Sequence, residues 1–360
     1  MKTTRILITS PSLNASDNVS GISSLVSDII KYSSCRIDHF ILGSKDCEKK
    51  NIRWLLNQLQ ILRNFASQSS KDSFDILHLN TGLEKFSILR DSIIAFIAKK
   101  LYKKQVLLHL HGGFYMFNKT KGLTSFCLKN LLKNADAVIV LSEEEKVNIQ
   151  VKYNISRCNV LPNAIDYSFT DKKARVLNEA LKVIFLGRIN ESKGLETIVS
   201  GFRQLNGSLK HLEFDVYGSG PALKKWNTEL QEIKGLSYQY KGVAAGAAKW
   251  QALQEADVFV LPSIHSEGMP IAILEAMAAG CAVITTDDGS IKSVVKNSYN
   301  GILIPKHSPK RFAETLKEII DGQIDIKELG RNAQSFAQSN LSFSTYIQKL
   351  DGIYHKLMIG

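Results

Sequence analysis

Short apolar, β-branched runs alternate along the whole chain with longer segments whose apolar positions recur at helical spacing. This alternation is typical of parallel sheets covered by helices on both faces. The first half is predicted to hold six strands, at 5–10, 38–43, 75–80, 105–112, 137–142 and 159–163. The pattern then restarts with six more, at 182–189, 212–220, 236–242, 258–263, 281–286 and 301–305. Helices are predicted between them, the first at 21–32 and a long one at 84–103.

Two successive series of strands and helices predict an α/β protein with two Rossmann-like, doubly wound domains that face each other across a cleft. The predicted domains span 1–165 and 166–342, joined by a polar hinge at 163–173. A final amphipathic helix at 343–358 could either cap the second domain or cross back onto the first, and its spacing leaves both possibilities open.

Composition excludes several classes of protein. Apolar residues make up 44% and charged residues 22% of the chain, which indicates a soluble globular protein rather than a disordered or collagen-like one. The longest mostly apolar stretch, 271–284, is interrupted by Glu275 and is shorter than the roughly 20 residues of a membrane span. The amino terminus lacks a secretory apolar region, and the five cysteines form no C-x-x-C pair, so we expect a cytoplasmic protein with reduced thiols.

The positive charge is concentrated in the first half. Residues 1–165 hold 23 Lys and Arg against 13 Asp and Glu, a net charge of +10, whereas residues 166–360 hold 23 against 21, a net charge of +2. An acidic partner is therefore expected to bind the first domain. Nucleic acid is not the expected partner, because the sequence carries no RNP-like, helix-turn-helix or zinc-finger motif.

The clearest chemical signal lies between the predicted strands at 258–263 and 281–286. The strand at 258–263 is followed by a loop, after which Gly268, Met269 and Pro270 open a helix, and a proline suits the first helical position. A helix start at the carboxyl edge of a parallel sheet offers amides and a positive dipole to a phosphate group. Glu267 precedes this helix start and Glu275 lies within the helix, so a bound diphosphate would place its sugar near the first and its ribose near the second.

Two cations follow the first strand of the second half. Arg188 and Lys193 frame the start of the next helix, and together they could neutralise two phosphates without a metal. The alternative is a basic loop paired with surface carboxylates. The nearby G-S-G-P sequence at 218–221 is either a phosphate loop or an ordinary strand-to-helix turn.

Two candidates lie in the first half. His111 follows a strand and precedes two glycines, where its imidazole could donate to a sugar hydroxyl or serve only structure. His109, deeper in the same strand, is interpreted as a core residue. Gly21, placed just before the first helix, marks a second loop that a ligand could approach. The G-x-G-x-x-G pattern of dinucleotide binders is absent there, which argues against an oxidoreductase.

In this order, GRINESKG, VYGSGP, ADVFVLPSIHSEGMPIAILEAMAAGCAVITT and NGILIP resemble the donor domain of the retaining GT-B glycosyltransferases of family 4. The likeness is strong over 183–305 and covers most of the chain. The resemblance implies a nucleotide-sugar donor domain at 166–342 and an acceptor domain at 1–165. It also implies transfer without a metal or other cofactor.

The resemblance further implies residue roles. The donor diphosphate would be held by Arg188, Lys193 and the helix opening at 268–270, with Glu267 near the transferred sugar and Glu275 on the ribose. Gly21 and His111 would approach from the first domain, and the backbone at Val243 would flank the base. The alanine-rich segment 244–248 offers no side chain that we can assign to the base.

The predicted function is hexosyl transfer, with retention, to a glycan or polyprenyl-diphosphate-linked acceptor in bacterial surface-polysaccharide synthesis. A sugar-nucleotide epimerase of the same fold and a non-catalytic nucleotide-sugar-binding protein are the alternatives. The helix at 85–104 alternates apolar and basic residues, which favours either a core-packed helix with a basic end or an interfacial surface for anionic membrane on the inner face of the cell membrane.

Overall fold

The computed structural model describes residues 4–14, 17, 20–43, 51–70, 73–166, 180–205, 207–265 and 267–359. Most of the hinge predicted at 163–173 lies outside these ranges, as does Cys47. The chain divides into two compact units, Met1–Asn163 with Phe343–Gly360, and Ala164–Ser342. The last helix therefore belongs to the first unit.

The first unit is built on one parallel sheet of six strands in the order β2-β1-β3-β4-β5-β6. Its strands are β1 Arg5–Ser10, β2 Arg36–Ile41, β3 Ile76–Thr81, β4 Gln105–Leu110, β5 Ala137–Val140 and β6 Cys158–Val160. Its helices are α1 Gly21–Tyr32, α2 Ile52–Ser70, α3 Lys85–Phe96, α4 Phe114–Phe117, α5 Gly122–Asn134, α6 Glu143–Tyr153 and, from the chain end, α14 Phe343–Ile359.

The second unit holds another six-stranded parallel sheet, in the order β12-β11-β10-β7-β8-β9. Its strands are β7 Leu181–Leu186, β8 Leu212–Tyr217, β9 Ser237–Gly242, β10 Val258–Leu261, β11 Ala282–Thr286 and β12 Ile302–Ile304. Its α-helices are α7 Leu195–Gln204, α8 Leu223–Gln231, α9 Gly246–Glu255, α10 Ile271–Ala278, α11 Ile291–Val294, α12 Pro309–Ile320 and α13 Ile326–Asn340, and short 3₁₀ turns lie at Glu191–Lys193 and Leu209–His211.

The central strands of both sheets are buried on both faces, which explains why they read as continuous apolar runs. Every residue of β3 is buried, as is every residue of β10 and β11. The α/β class with two Rossmann-like halves is thus confirmed.

The carboxyl-terminal helix α14 is tied to the first unit by polar contacts. The Asp351 carboxylate accepts hydrogen bonds from the Ser33 hydroxyl at 2.6 Å and from the Ser34 amide at 2.9 Å, just after α1. Tyr354 is fully buried and reaches His78 in β3. These contacts fix the helix against the first sheet through side chains far apart in sequence.

Two general properties complete the fold. Among the described residues, no helix combines the length and the apolar character that crossing a bilayer demands. Cys35, Cys127, Cys158 and Cys281 are thiols that form no disulfide in the described part of the chain.

Candidate active site

The strand order of the second sheet identifies a switch point between two of its central strands. Its first strand, β7, lies between β8 on one side and β10 on the other, so the chain reverses its direction of travel at the β7–β10 pair. In open α/β sheets, ligands bind beyond the carboxyl ends of the strands at this kind of switch point. The loops that follow β7 and β10 carry Arg188, Lys193 and Glu267, three of the predicted site residues.

Lys193 and Glu267 form an ion pair that joins these two loops. The Lys193 ammonium contacts Glu267 Oε1, and the Ser263 hydroxyl donates to the same oxygen at 2.8 Å. The side chains of Lys193 and Glu267 are 20% and 11% exposed. The structure therefore brings a predicted cation and a predicted carboxylate together, in a setting where an added anion would meet little competing solvent.

Asp288 holds the loop that carries Glu267 through a hydrogen bond to its backbone. The Glu267 amide donates to Asp288 Oδ2 at 2.7 Å, and the Lys306 ammonium contacts the other carboxylate oxygen. Gly289 packs so closely that a Cβ atom there would lie 1.6 Å from the Glu267 carbonyl oxygen. These contacts hold the backbone of Glu267, and they therefore fix the point from which its side chain extends.

The glycine-rich loop at 218–221 packs against the loop that carries Arg188. A Cβ atom on Gly218 would lie 1.8 Å from the Gly187 carbonyl oxygen, and one on Gly220 would lie 2.2 Å from the Ile189 carbonyl oxygen. The Gly218 amide donates to the Gly242 carbonyl at 2.7 Å. These glycines allow close backbone packing beneath Arg188, which favours the strand-to-helix turn over the phosphate loop.

The start of α10 differs in one respect from the prediction. Pro270 is the N-cap residue, with φ −62° and ψ 121°, and the helix begins at Ile271, so the proline is not at the first helical position. No side chain caps this end, and the Ile273 amide donates to the Pro270 carbonyl at 3.1 Å, so the amides that could meet a ligand are those before Ile273. Gly268 and Met269 are buried in the preceding turn, where the Gly268 carbonyl accepts from the Ser290 amide at 3.0 Å.

Glu275 is buried inside α10 and pairs with a lysine that the sequence alone did not identify. The Lys249 ammonium, from α9, contacts Glu275 Oε1. Burial raises the pKa of Glu275, and the Lys249 charge opposes this shift. The carboxylate therefore depends on Lys249 to stay ionised in an apolar helix face.

Two further predicted residues of the second unit, Arg188 and Val243, lie beyond the ends of strands. Arg188 is half-buried immediately beyond Gly187, after β7. Val243 is 46% exposed and follows β9, the edge strand two positions from β7. Of the predicted residues, the structure shows Lys193 and Glu267 in direct contact, whereas Glu275 contacts Lys249.

His111 and Gly21 belong to the first unit. His111 follows β4, and its Nε2 lies 2.7 Å from Asn80 Oδ1. Burial lowers the pKa of His111 to about 3, so the ring is neutral at physiological pH. Gly21 is the first residue of α1, not the residue before it, and is exposed behind an N-cap at Ser20. His109 is fully buried, as its interpretation as a core residue required.

Within the described ranges, the structure contains no cluster of three or more His, Cys, Asp and Glu side chains suited to holding a metal ion. The acidic residues near the switch point are matched by lysines instead, Glu267 by Lys193 and Glu275 by Lys249. The Arg188 guanidinium and the amides at the start of α10 add positive charge beside these ion pairs, which suits an anionic ligand.

Comparison with known families accounts for both halves of the chain. The model described as "Glycosyl transferases group 1" matches residues 167–336, and the one described as "Glycosyltransferase Family 4" matches residues 36–169. The chain belongs to the group 1 glycosyltransferases.

Individual relatives of this group 1 glycosyltransferase are distant in sequence. An uncharacterized glycosyltransferase of Methanocaldococcus jannaschii is 25% identical over 316 residues, covering 80% of this chain and 76% of the relative. The UDP-Gal:alpha-D-GlcNAc-diphosphoundecaprenol alpha-1,3-galactosyltransferase of Escherichia coli is 22% identical, covering 85% of this chain and 81% of that enzyme.

A solved structure supports the GT-B fold. The Anabaena protein HepE, in complex with UDP-glucose, aligns with a TM-score of 0.76 at 17% identity, covering 98% of this chain and 99% of that one. At this identity the likeness establishes the fold of the group 1 glycosyltransferase and not its substrate. The predicted family and fold are therefore confirmed.

Sequence reasoning missed the residues that support the site from neighbouring elements. These are Asn80, Lys249, Ser263, Asp288 and Lys306. One signal was available: Asp287 and Asp288 directly follow β11, and polar residues at the carboxyl end of a strand adjacent to the switch point mark a site. Nothing in the sequence pattern pairs Lys249 with Glu275.

Proposed function

We propose that this group 1 glycosyltransferase moves a hexosyl unit, with retention of configuration, from a nucleoside-diphosphate sugar to a glycan or polyprenyl-diphosphate-linked acceptor. The proposed pathway is bacterial surface-polysaccharide synthesis, such as that of a capsule, O-antigen or exopolysaccharide. The E. coli relative, by its printed name, acts on a diphosphoundecaprenol-linked sugar, which supports an acceptor of this class.

One observation carries the donor assignment: the ion pair between Lys193 and Glu267, which joins the loops at the β7–β10 switch point beside the uncapped start of α10. A diphosphate placed there would meet the Lys193 ammonium and the positive end of the helix. Arg188, on the same β7 loop, would add a second fixed cation. UDP-glucose in the HepE complex supports a nucleotide sugar as the ligand of this fold.

The chemistry follows from the charge that develops during transfer. Breaking the bond between a sugar and a nucleoside diphosphate builds negative charge on the leaving phosphate and an oxocarbenium-like sugar. Arg188, Lys193 and the α10 dipole would stabilise the leaving phosphate in a preorganised setting, without a metal. Retention would result from attack on the same face of the sugar within the ion pair.

Glu267 is proposed to orient the transferred sugar and to support its positive charge, not to act as a nucleophile. Its Oε1 already bonds Ser263 and Lys193, so the carboxylate is held in one orientation. Glu275 is proposed to accept hydrogen bonds from the donor ribose, and the backbone at Val243 to flank the base. Gly21 and His111 would contribute from the acceptor domain.

Nucleotide affinity of a Lys249→Met variant is expected to depend on pH. Removing the ammonium raises the pKa of Glu275 further, so a larger fraction of the carboxyl is protonated on acidification and is then a poorer acceptor for ribose. Calorimetric titration with the nucleotide should show binding that weakens on acidification more than that of the wild type and that recovers as the pH rises. The free energy of unfolding of this variant should fall as the pH rises. The reason is that the unpaired buried carboxyl ionises as the pH passes through its raised pKa, and the buried charge destabilises the fold.

The Lys249→Arg variant is the control, since it keeps a positive charge beside Glu275. It should bind nucleotide with a pH profile close to that of the wild type. A Lys249→Met variant whose affinity is independent of pH would contradict the role assigned to the Glu275 carboxylate.

The acceptor side is proposed to include a weak, reversible contact with an anionic membrane surface. On α3, Phe86, Leu89, Ile93 and Phe96 form an apolar stripe, and their exposures are 53%, 40%, 40% and 49%. Lys85, Lys100 and Lys103 are exposed at the ends of this segment. This pairing of apolar and basic side chains supports an interfacial surface on a cytoplasmic protein.

The structure also corrects the predicted composition of this surface. Within the helix predicted at 85–104, Ile88 and Ile94 are buried in the core, and three of the basic residues are paired or buried. Arg90 pairs with Asp91, Lys99 pairs with Asp136, and Lys104 is buried. The helix therefore has a core-packed face and an exposed apolar stripe, and only the stripe is proposed to contact a membrane.

Flotation with vesicles tests the stripe. The wild type is expected to float with vesicles that contain anionic phospholipid, and to be released by salt. A Leu89→Gln, Ile93→Gln double variant should bind at least about tenfold more weakly, because each partly inserted side chain contributes about 1 kcal/mol. A Val151→Gln variant, which changes an exposed residue on α6, should bind like the wild type. Equal flotation of all three proteins would exclude the stripe as the contact.

The donor is best identified by thermal shift. UDP-, GDP- and ADP-sugars are added separately, and the donor that binds the folded state is expected to raise the melting temperature. The products formed from that donor then separate transfer to an acceptor from epimerisation. A chain that binds no nucleotide sugar, or that releases only a free epimer, would contradict the proposed function.

A further inference from the structure

The segment that follows β4 exposes large apolar side chains in two pairs. Phe114 and Phe117 lie about one turn apart on α4 and are 43% and 42% exposed, whereas Leu123 and Phe126 lie about one turn apart on α5 and are 65% and 64% exposed. Side chains three residues apart on a helix are neighbours on its surface. Each of the two helices therefore presents an apolar pair to solvent, just beyond the carboxyl end of a central strand, where open α/β sheets bind ligands.

Hydrogen bonds from α6 hold α4 in place, so the exposure of its two phenylalanines is part of the folded structure. The Asn148 side-chain amide donates to the Met116 carbonyl. One turn further along α6, the Lys152 ammonium donates to the Asn118 carbonyl at 2.6 Å. Exposed apolar side chains that the fold fixes in this way indicate a surface that a partner covers.

The short connection between α4 and α5 carries two lysines, and a third lysine reaches it from α6. Lys119 and Lys121 are exposed, and the chain between them keeps their Cα atoms within about 7 Å of each other. Burial lowers the pKa of Lys152, and the nearby charge of Lys119 lowers it further. Within the described ranges, none of these three lysines forms an ion pair with a carboxylate. Their charges repel one another, and an anion with more than one charge would relieve that repulsion.

The sequence around this connection is basic throughout. Residues 92–135 hold eight lysines and no Asp, Glu or Arg. The Glu84 carboxylate, from the loop after β3, accepts a hydrogen bond from the Phe114 amide at 2.9 Å and is thereby used in positioning α4. The surface joins apolar side chains to clustered positive charge, so its complement is a compact, multiply charged anion attached to an apolar chain.

We propose that the two apolar pairs and the three lysines together bind the polyprenyl diphosphate of a lipid-linked acceptor. The ammonium groups contact the diphosphate, and the apolar side chains contact the isoprenyl chain. This inference rests on the proposed function, which names a glycan and a polyprenyl-diphosphate-linked molecule as acceptors, and it selects the second. Three cations at one short connection suit a compact anion better than the dispersed headgroups of a bilayer, so the role of this surface differs from that of the stripe on α3.

Farnesyl diphosphate, a soluble short-chain polyprenyl diphosphate, is the probe. It is titrated calorimetrically into the full-length chain with UDP, GDP and ADP in excess, so that a nucleotide site in the second unit is occupied. The wild type is expected to bind farnesyl diphosphate at least about tenfold more tightly than inorganic pyrophosphate, because only the former brings an apolar chain to the surface. Equal affinities for the two compounds would overturn the proposal.

The lysines are tested by a Lys119→Met, Lys121→Met double variant. Its affinity for farnesyl diphosphate should fall at least about tenfold, because charge-assisted contacts with the phosphates are lost. A Lys133→Met, Lys349→Met double variant is the matched control: it loses the same charge at exposed positions of the first unit and should bind like the wild type. Equal affinities of the two double variants would remove the connection between α4 and α5 from the site.

The apolar pairs are tested by a Leu123→Gln, Phe126→Gln double variant. It should bind inorganic pyrophosphate like the wild type, but it should lose most of the preference for farnesyl diphosphate. A Met358→Gln, Ile359→Gln double variant, which changes two exposed apolar residues of α14, should keep that preference. A preference that survives in the α5 variant would show that the isoprenyl chain lies elsewhere.

Vesicles of anionic phospholipid separate a diphosphate site from a general bilayer contact. The Lys119→Met, Lys121→Met variant should float with them nearly as well as the wild type, and a loss as large as that for farnesyl diphosphate would overturn the proposal in favour of a bilayer contact. If a nucleotide sugar is used but farnesyl diphosphate does not bind, this inference fails and the proposed transfer stands with a glycan acceptor. If farnesyl diphosphate binds as predicted but no nucleotide sugar does, the proposed function fails, while the binding surface stands without a role in transfer.

Discussion

Replacing Arg188 or Glu267 with alanine is expected to slow glycosyl transfer by about 10²–10³-fold while the chain stays folded. Arg188 supplies a fixed positive charge on the loop after β7, where the leaving phosphate is proposed to gain negative charge. Glu267 holds the Lys193 ammonium and is proposed to orient the transferred sugar. Both changes should lower kcat/KM with the identified donor, measured in steady-state assays, and circular dichroism should be unchanged.

The controls are exposed residues of the same types in the same unit. Arg203 lies on the solvent side of α7, and Glu232 follows α8. Arg203→Ala and Glu232→Ala should transfer sugar at the wild-type rate. Full activity in Arg188→Ala or in Glu267→Ala would remove that residue from the catalytic machinery.

Gly194→Ala is expected to damage the site through the backbone. Gly194 has a φ of 76°, and a Cβ atom there would lie 1.9 Å from the Pro262 carbonyl oxygen. Either the loop after β7 or the loop after β10 must move, which separates Lys193 from Glu267. Unfolding experiments should show a loss of about 2–4 kcal/mol, from the left-handed conformation and the steric conflict together. Transfer should fall about 10²-fold, because a displacement of about 1 Å is enough for such a loss.

Gly207 offers a closely matched control. Its φ of 77° is nearly the same as that of Gly194, but a Cβ atom there meets nothing within 4 Å. Gly207→Ala should lose only the roughly 1–2 kcal/mol of the left-handed conformation and should keep its activity. If both variants lost the same stability and the same activity, backbone conformation alone, and not contact with Pro262, would make glycine necessary at position 194.

Much of the fold could be predicted because buried parallel strands and amphipathic helices leave different periods in the sequence. The boundaries that shifted have local causes. The helix predicted over 84–103 ends at Phe96 and continues as a π-helical turn over Ile97–Leu101, after which Lys103 adopts a φ of 51°. The strand predicted at 38–43 is observed at Arg36–Ile41, at a sheet edge where the apolar pattern is weak.

The supporting residues of the site could not be predicted because sequence does not give sheet order. The position of β10 beside β7 brings Glu267 to Lys193, 74 residues away, and only the folded chain reveals it. In the same way, Lys249 reaches Glu275 from α9, and Asn80 reaches His111 from β3. Each of these partners lies on a neighbouring element and carries no motif of its own.

Arg188 and Glu267 were identifiable because their positions after strands reproduce a known family pattern. Pro270 was misplaced by one position, because the preference of proline for the first helical position led the prediction, whereas the structure places Pro270 at the N-cap. That shift leaves the adjacent amides of α10 uncapped, as the proposed diphosphate site requires.

The diphosphate of the donor is proposed to bind at the β7–β10 switch point, where it contacts side-chain cations and helix amides. A crystal structure of the chain with the nucleoside diphosphate selected by the thermal-shift panel tests it most directly. Phosphate oxygens are expected at hydrogen-bond distance from Arg188, Lys193 and the first-turn amides of α10, with the ribose hydroxyls on Glu275. A diphosphate bound elsewhere, or held by carboxylates through a divalent metal ion, would contradict it.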